Sequence, residues 1–96
     1  MESVKPLLFS LGQIVSTPGA LDALARANQQ PYDFLNRHAA GDCGSELSED
    51  DKAENQYSLA HGFRILSSYR TTAGEKLWLI TELDRSVTTL LLPEEY

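Results

Sequence analysis

The residues best equipped for chemistry lie in the second half of the chain. His61 could act as general base or acid, with Arg64 or Arg70 stabilising a phosphorane, a set that points to weak nuclease activity. Neither a nucleophile nor an orienting partner accompanies His61, however, and a histidine in the last turn of a helix is favoured by the helix dipole alone. No catalytic residue is therefore assigned, and His61, Arg64 and Arg70 stand only as candidates. His38, Asp42, Cys43 and His61 are of metal-ligating types, but their spacing matches no compact motif, so neither a metal site nor a cofactor is expected. A second group carries more weight: Ser67, Tyr69, Trp78, Glu82 and Thr89 combine aromatic bodies with polar tips, which suits a partner-binding surface. The simpler alternative is that an N-terminal arm or a second copy of the chain covers this surface, which makes Trp78 part of a core.

These residues need elements to hold them, and the pattern supplies helices first and strands last. Thr17 can cap a helix over 18–27 whose first position is Pro18, with Leu21, Leu24 and Ala25 on one face. Pro31 restarts a helix in which Tyr32, Leu35 and Ala39 share a stripe flanked by Phe34 and His38, and Gly41 stops it. Ser48, followed by Glu49, Asp50 and Asp51, marks the clearest helix start; that helix spans 49–61, faces inward through Ala53, Tyr57 and Ala60, and ends at Gly62. The acidic run 49–54 lacks the alternating ligands and central glycine of a calcium loop, although it could imitate phosphates to a DNA-binding partner. Residues 8–15 read as either a short strand or part of an extended arm covering 1–12.

From Phe63 the period changes to that of strands, over 63–70, 76–82 and 87–92, with Pro93 as terminator. Short turn-like connectors predict a three-stranded antiparallel meander. Two-residue turns at Ala73-Gly74 and Asp84-Arg85 place Leu66, Leu77, Leu79, Leu90 and Leu92 on one face, toward the helices. Phe63, Ile65, Ser67, Tyr69, Trp78, Ile80, Glu82, Thr89 and Leu91 then occupy the other face, with Tyr69 directly opposite Trp78. The expected fold is thus α+β: two or three N-terminal helices on one face of a C-terminal three-stranded antiparallel meander, with room for a short extra N-terminal strand. A one-residue slip in either turn exchanges the faces of a whole strand.

With 96 residues there is space for one domain, 1–96, built on one core. A formal charge of −6 and the lack of any Lys/Arg cluster argue against direct nucleic-acid binding by phosphate neutralisation. Cys43 is the only cysteine, which precludes an internal disulfide and fits a reducing cytoplasm. The apolar stretch Leu7-Leu8-Phe9 is far too short for a signal-peptide core or a membrane span.

Three segments carry a resemblance: 64–70, 77–82 and, above all, Asp84-Arg85-Ser86-Val87-Thr88-Thr89-Leu90-Leu91-Leu92-Pro93-Glu94-Glu95-Tyr96. With Gln13-Ile14-Val15 and Thr17-Pro18-Gly19-Ala20-Leu21 near the start, the chain resembles a family of small uncharacterised bacterial proteins often labelled plasmid-related. That resemblance implies a bacterial accessory protein on mobile DNA and brings no catalytic residues with it. In element order alone the chain is also similar to small ribonuclease-like toxins, whose open sheet face holds the active site. Those enzymes use clustered basic and hydroxyl groups, and here only His61, Arg64, Arg70 and Ser67 are on offer. The reading that emerges is a non-enzymatic protein-binding or regulatory module, with an unidentified protein partner or a second copy as its occupant. A weak ribonuclease-like toxin and an acidic DNA-mimic decoy are the alternatives.

Overall fold

The computed structural model describes residues 7–96, and the expected arm over 1–12 falls partly on residues 1–6, which lie outside the described residues. The elements run β1 (Gln13–Ser16), α1 (Pro18–Ala27), α2 (Tyr32–Ala39), α3 (Glu49–His61), β2 (Ile65–Arg70), β3 (Lys76–Thr81) and β4 (Val87–Leu91), followed by a 3₁₀ turn, Pro93–Glu95. The helix ends are set by the expected chemistry. Thr17 accepts from the Ala20 amide at 3.1 Å and Ser48 from the Asp51 amide at 3.1 Å, while Asn28 and Gly62 close α1 and α3 in the left-handed region.

The sheet has four strands in the order β1-β4-β3-β2 and is mixed, which corrects the expected three-stranded antiparallel meander. Residues 13–16 form a strand because they lie parallel to β4, from Gln13 opposite Val87 to Ser16 opposite Leu90. The β3–β4 register is the expected one, with Leu79 opposite Leu90 and Trp78 opposite Leu91. At β2–β3 the register has slipped by one: Tyr69 lies opposite Leu77, and Ser68 opposite Trp78. The cause is the connector. Thr71 N–H bonds Glu75 O and Gly74 N–H bonds Thr71 O, each at 2.8 Å, so the loop is the three residues Thr72-Ala73-Gly74, with Gly74 at φ +89°. A three-residue loop with glycine in the left-handed position holds one residue more than the two-residue turn.

That extra residue turns β2 over. Ile65, Ser67 and Tyr69 join the buried face, and Leu66, expected in the core, moves to the Trp78 face. The core consists of Ala20 and Leu24 from α1, Phe34 and Leu35 from α2, and Tyr69, Leu77, Leu79 and Leu90 from the sheet. The helix faces match expectation in part. Leu24 is buried in α1 with Ala20 and Ala23, while Leu21 and Ala25 are exposed; α2 buries Leu35 and Ala39 of its expected stripe with both flanking residues, Phe34 and His38, while Tyr32 faces out. In α3 the expected inner residues Ala53, Tyr57 and Ala60 are exposed, since this helix flanks the edge of β2 and does not cover the core face. Asn55 makes that attachment: its side-chain amide donates to Leu66 O at 2.6 Å and accepts from Leu66 N–H at 3.1 Å, as a neighbouring strand would. Further along β2, Ser68 N–H donates to Cys43 O at 3.0 Å, and the approach is close enough that a side chain on Gly44 would meet Ser68 O.

Candidate functional site

The face of the sheet turned away from α1 and α2 reads, in register across the strands, Val15, Thr89, Ile80 and Leu66 in one row and Leu91, Trp78 and Ser68 in the next. Because α3 stands beside β2 and not over the core, its polar flank rises as a wall along this face. The result is a cleft of about 520 Å³ with Leu66, Trp78 and Ile80 as its floor, Asp51, Glu54, Asn55 and Ser58 on the helix side, and Phe63, Arg64, Leu83 and Tyr96 around the rim. The turn Pro93–Glu95 brings Tyr96 back over the floor, where its ring meets Trp78 edge-to-face at 5.9 Å and 68°. Arg64 donates to the Tyr96 hydroxyl at 3.0 Å and lies over the same ring; this bond raises the guanidinium pKa further.

Glu95 anchors the returning segment. Its carboxylate accepts from Thr17 Oγ1 at 2.5 Å, Gly19 N–H at 3.0 Å and Leu92 N–H at 2.8 Å. These bonds, foremost the one from Thr17, hold its pKa below the ordinary glutamate value. A second, shallower hollow shares Glu54, Ser58 and Phe63 with the cleft and adds Asp50 and Tyr57. There the Tyr57 ring stacks on His61 at 4.0 Å and on Phe63 at 5.8 Å, with Tyr57 and Phe63 both more than half exposed. The whole region therefore combines an apolar aromatic floor, an exposed aromatic column and an acidic helix flank. Chemically it suits a segment carrying both apolar and cationic groups, since aromatic faces and carboxylates attract cations jointly.

The five expected binding residues are divided by the register. Trp78, Glu82 and Thr89 are half-buried; Trp78 and Thr89 lie on the cleft side of the sheet, with Trp78 in the cleft and Thr89 one strand over, beside Ile80. Ser67 and Tyr69 are both 1% exposed and belong to the core, which corrects their placement on the open face. Tyr69 packs on Phe34 with ring centroids 5.4 Å apart, lies under the Arg37 guanidinium and donates its hydroxyl proton to Asp42 O; burial raises its pKa well above the ordinary tyrosine value.

Ser67 takes part in a buried polar chain that sequence reasoning missed. His38 Nδ1 lies 2.5 Å from Ser67 Oγ, His38 Nε2 lies 2.8 Å from Thr81 Oγ1, Thr81 lies 2.7 Å from Thr88 Oγ1, and Thr88 donates to Leu11 O at 2.7 Å. Counting protons fixes every direction. Thr88 has one proton and gives it to a carbonyl, so Thr81 must donate to Thr88; Thr81 then has none left and must accept from His38 Nε2–H, leaving Nδ1 to accept from Ser67. His38 is accordingly neutral and held in one tautomer, and burial lowers its pKa to about 4. A serine proton aimed at a histidine nitrogen resembles a nucleophile and its base. With Ser67 and His38 each 1% exposed and the imidazole so weakly basic, the chain serves as a structural strut.

The two candidate arginines lie at opposite ends of β2. His61 is exposed, with Nδ1 on Tyr57 O at 3.0 Å. Arg64 lies just before β2 and Arg70 at its far end, roughly 20 Å away at the usual strand rise. There Arg70 bonds Gly74 O at 2.8 Å and Glu46 at 3.3 Å. Among the described residues no group of three or more His, Cys, Asp or Glu side chains could hold a metal ion, and no helix is long and apolar enough to cross a membrane. Arg85 is another residue that sequence reasoning placed only in a turn. With φ +61°, it directs its guanidinium at Phe63 O at 2.6 Å, Ser58 O at 3.1 Å and Glu82 O at 3.2 Å, tying the end of α3 to the β3–β4 loop at the cleft rim.

Fold and cleft together define a small α+β domain whose mixed sheet is shielded by helices on one face and carries an acid-walled aromatic cleft on the other. No protein-family model matches the chain, and neither a curated protein nor a solved structure matches it.

Proposed function

We propose that this chain is a non-enzymatic binding module whose cleft takes a basic, partly apolar segment of a protein partner in the bacterial cytoplasm. The observation that carries the reading is the position of Trp78: half-buried on an apolar floor, with Asp51 and Glu54 on the adjoining helix flank. An aromatic floor supplies affinity through apolar burial, and the carboxylates select for lysine or arginine in the bound segment. The net charge of −6 favours the approach of such a partner from a distance. The resemblance of residues 84–96 to plasmid-related proteins supplies a setting, that of an accessory protein on mobile DNA.

Trp78 is the only tryptophan in the chain, so its fluorescence reports directly on the cleft. Short synthetic peptides of matched length, one rich in lysine and leucine and one rich in glutamate and leucine, provide the probes. The basic peptide is expected to change Trp78 emission, to bind more weakly as salt is added, and to lose roughly tenfold in affinity when Asp51→Asn and Glu54→Gln are combined. Equal binding of both peptides, or no response to either, would rule the reading out. Binding that depends on the acids but persists in Trp78→Ala, read by titration calorimetry because that variant has no tryptophan, would point instead to a decoy acting through charge alone.

A further inference from the structure

The two edges of the sheet are finished differently. Along β2 the outward backbone groups of Leu66 are bonded by Asn55, and Ser68 N–H is bonded by Cys43 O. Along β1 they are not. Gln13 N–H bonds Ser86 O at 2.9 Å and Thr17 N–H bonds Leu90 O at 3.0 Å, so the odd-numbered residues point their backbone groups at β4. The N–H and C=O of Ile14 and Ser16 therefore point away from the sheet, and none of the four has a partner among the described residues.

Nothing guards this edge in the usual ways, by a charge, a proline or a bulge within the strand. Ile14 and Val15 are instead 41% and 38% exposed, two branched apolar side chains on a rim. Charge indicates what the rim accepts. A second copy also carries −6 and is repelled by an acidic surface, but residues 6–21 contain no Asp, Glu, Lys, Arg or His and form the longest such run in the sequence. A basic partner finds no counter-charge within that run, whereas an identical uncharged strand meets no repulsion from it.

We propose that two copies of this chain pair antiparallel through β1, about a two-fold axis at Val15, into one continuous sheet. The register follows from which groups are free. Ile14 and Ser16 of one copy exchange both hydrogen bonds with the partner's Ser16 and the partner's Ile14, and the two Val15 residues form a non-hydrogen-bonded pair with Cα atoms roughly 4.5 Å apart. A shift by one residue would set bonded groups against free ones, so this pairing alone satisfies the edge. Residues directly opposite in a pair share a face, so both Trp78 clefts open on the same side of the joined sheet.

Sedimentation of the full chain from low to high micromolar concentration tests the pairing and is expected to show a monomer–dimer equilibrium. Ser16→Pro removes one outward N–H per copy without touching the bonds to β4, and should raise the dimer Kd roughly tenfold. In a Cys43→Ser background, mild oxidation should link Val15→Cys into a covalent dimer, because the expected separation lies within the disulfide range of about 4.4–6.8 Å. Gln13→Cys, whose two copies lie far apart in this register, should stay unlinked. A chain that remains monomeric throughout overturns the proposal, as does a dimer that ignores Ser16→Pro and leaves Val15→Cys unlinked. Should Ser16→Pro fail to fold by circular dichroism, the cysteine pair decides the question alone.

Discussion

His38 is in the interior as an uncharged hydrogen-bond relay between β2 and β3, and this makes the fold sensitive to acid in a defined window. Unfolded, its imidazole titrates near 6.5; folded, burial holds it at about 4. Between those values the unfolded chain binds a proton that the folded chain refuses, so stability is full above about pH 6.5 and is lost as pH falls toward 4. From pH 7 to pH 5 the unfolding free energy should drop by about 2 kcal/mol from this residue. The acids with displaced pKa values, Glu75, Asp84 and Glu95, are all pushed downward, each foremost by a side-chain hydrogen bond. Urea unfolding at the two pH values, for the natural chain and for His38→Gln, measures the effect; equal slopes in both proteins would show that His38 is not its source. The same residue explains why Ser67 is unsuited to partner binding, since its proton is committed to Nδ1.

Among the elements, α3 depends most on a single side chain. It buries only Ser58 and is attached to the sheet chiefly where Asn55 imitates a strand against Leu66, supported by Arg85 on Ser58 O. Asn55→Ala leaves a part-buried N–H and C=O without partners and should cost about 2 kcal/mol. Hydrogen exchange locates the loss: the Leu66 amide should accelerate more than the Leu79 amide, and uniform acceleration would contradict the assignment. Much of this architecture was legible in the chain. Thr17-Pro18, Ser48 and Gly62 mark helix ends through capping chemistry and Pro31 through its fixed φ, signals that are local and hence readable. The β3–β4 register was readable as well, because Leu79 and Leu90 agree with the parity of the 83–86 connector. The β2 faces were not, because Thr72-Ala73-Gly74 can close as a two- or three-residue loop and Ile65, Leu66, Ser67, Ser68 and Tyr69 do not alternate cleanly enough to choose. β1 was readable only as one of two alternatives, a short strand or an arm, because its four residues acquire their conformation from the distant β4. Trp78 could be found from the sequence; the acidic wall beside it could not, since α3 looks inward-facing until its position beside β2 is known.

For the whole molecule, topology matters more than any one contact. β2, β3 and β4 are joined by short loops and can pair as soon as they exist, whereas β1 lies parallel to β4 and must wait for three helices and two strands to intervene. Refolding kinetics should reflect this: Val15→Ala should mainly speed unfolding, while Leu79→Ala, in the early ribbon, should also slow folding. Stopped-flow chevrons for the two variants distinguish the cases, and a slowed folding limb for Val15→Ala would refute the order. A ribosome delivers these two strands with three helices and two strands made in between. During synthesis β1 emerges before its partner and finds nothing to pair with, so the nascent chain carries an apolar, uncharged ribbon until β4 is made. Chaperone dependence, if the cell shows any for this protein, should therefore concentrate on β1 and end once β4 has left the exit tunnel.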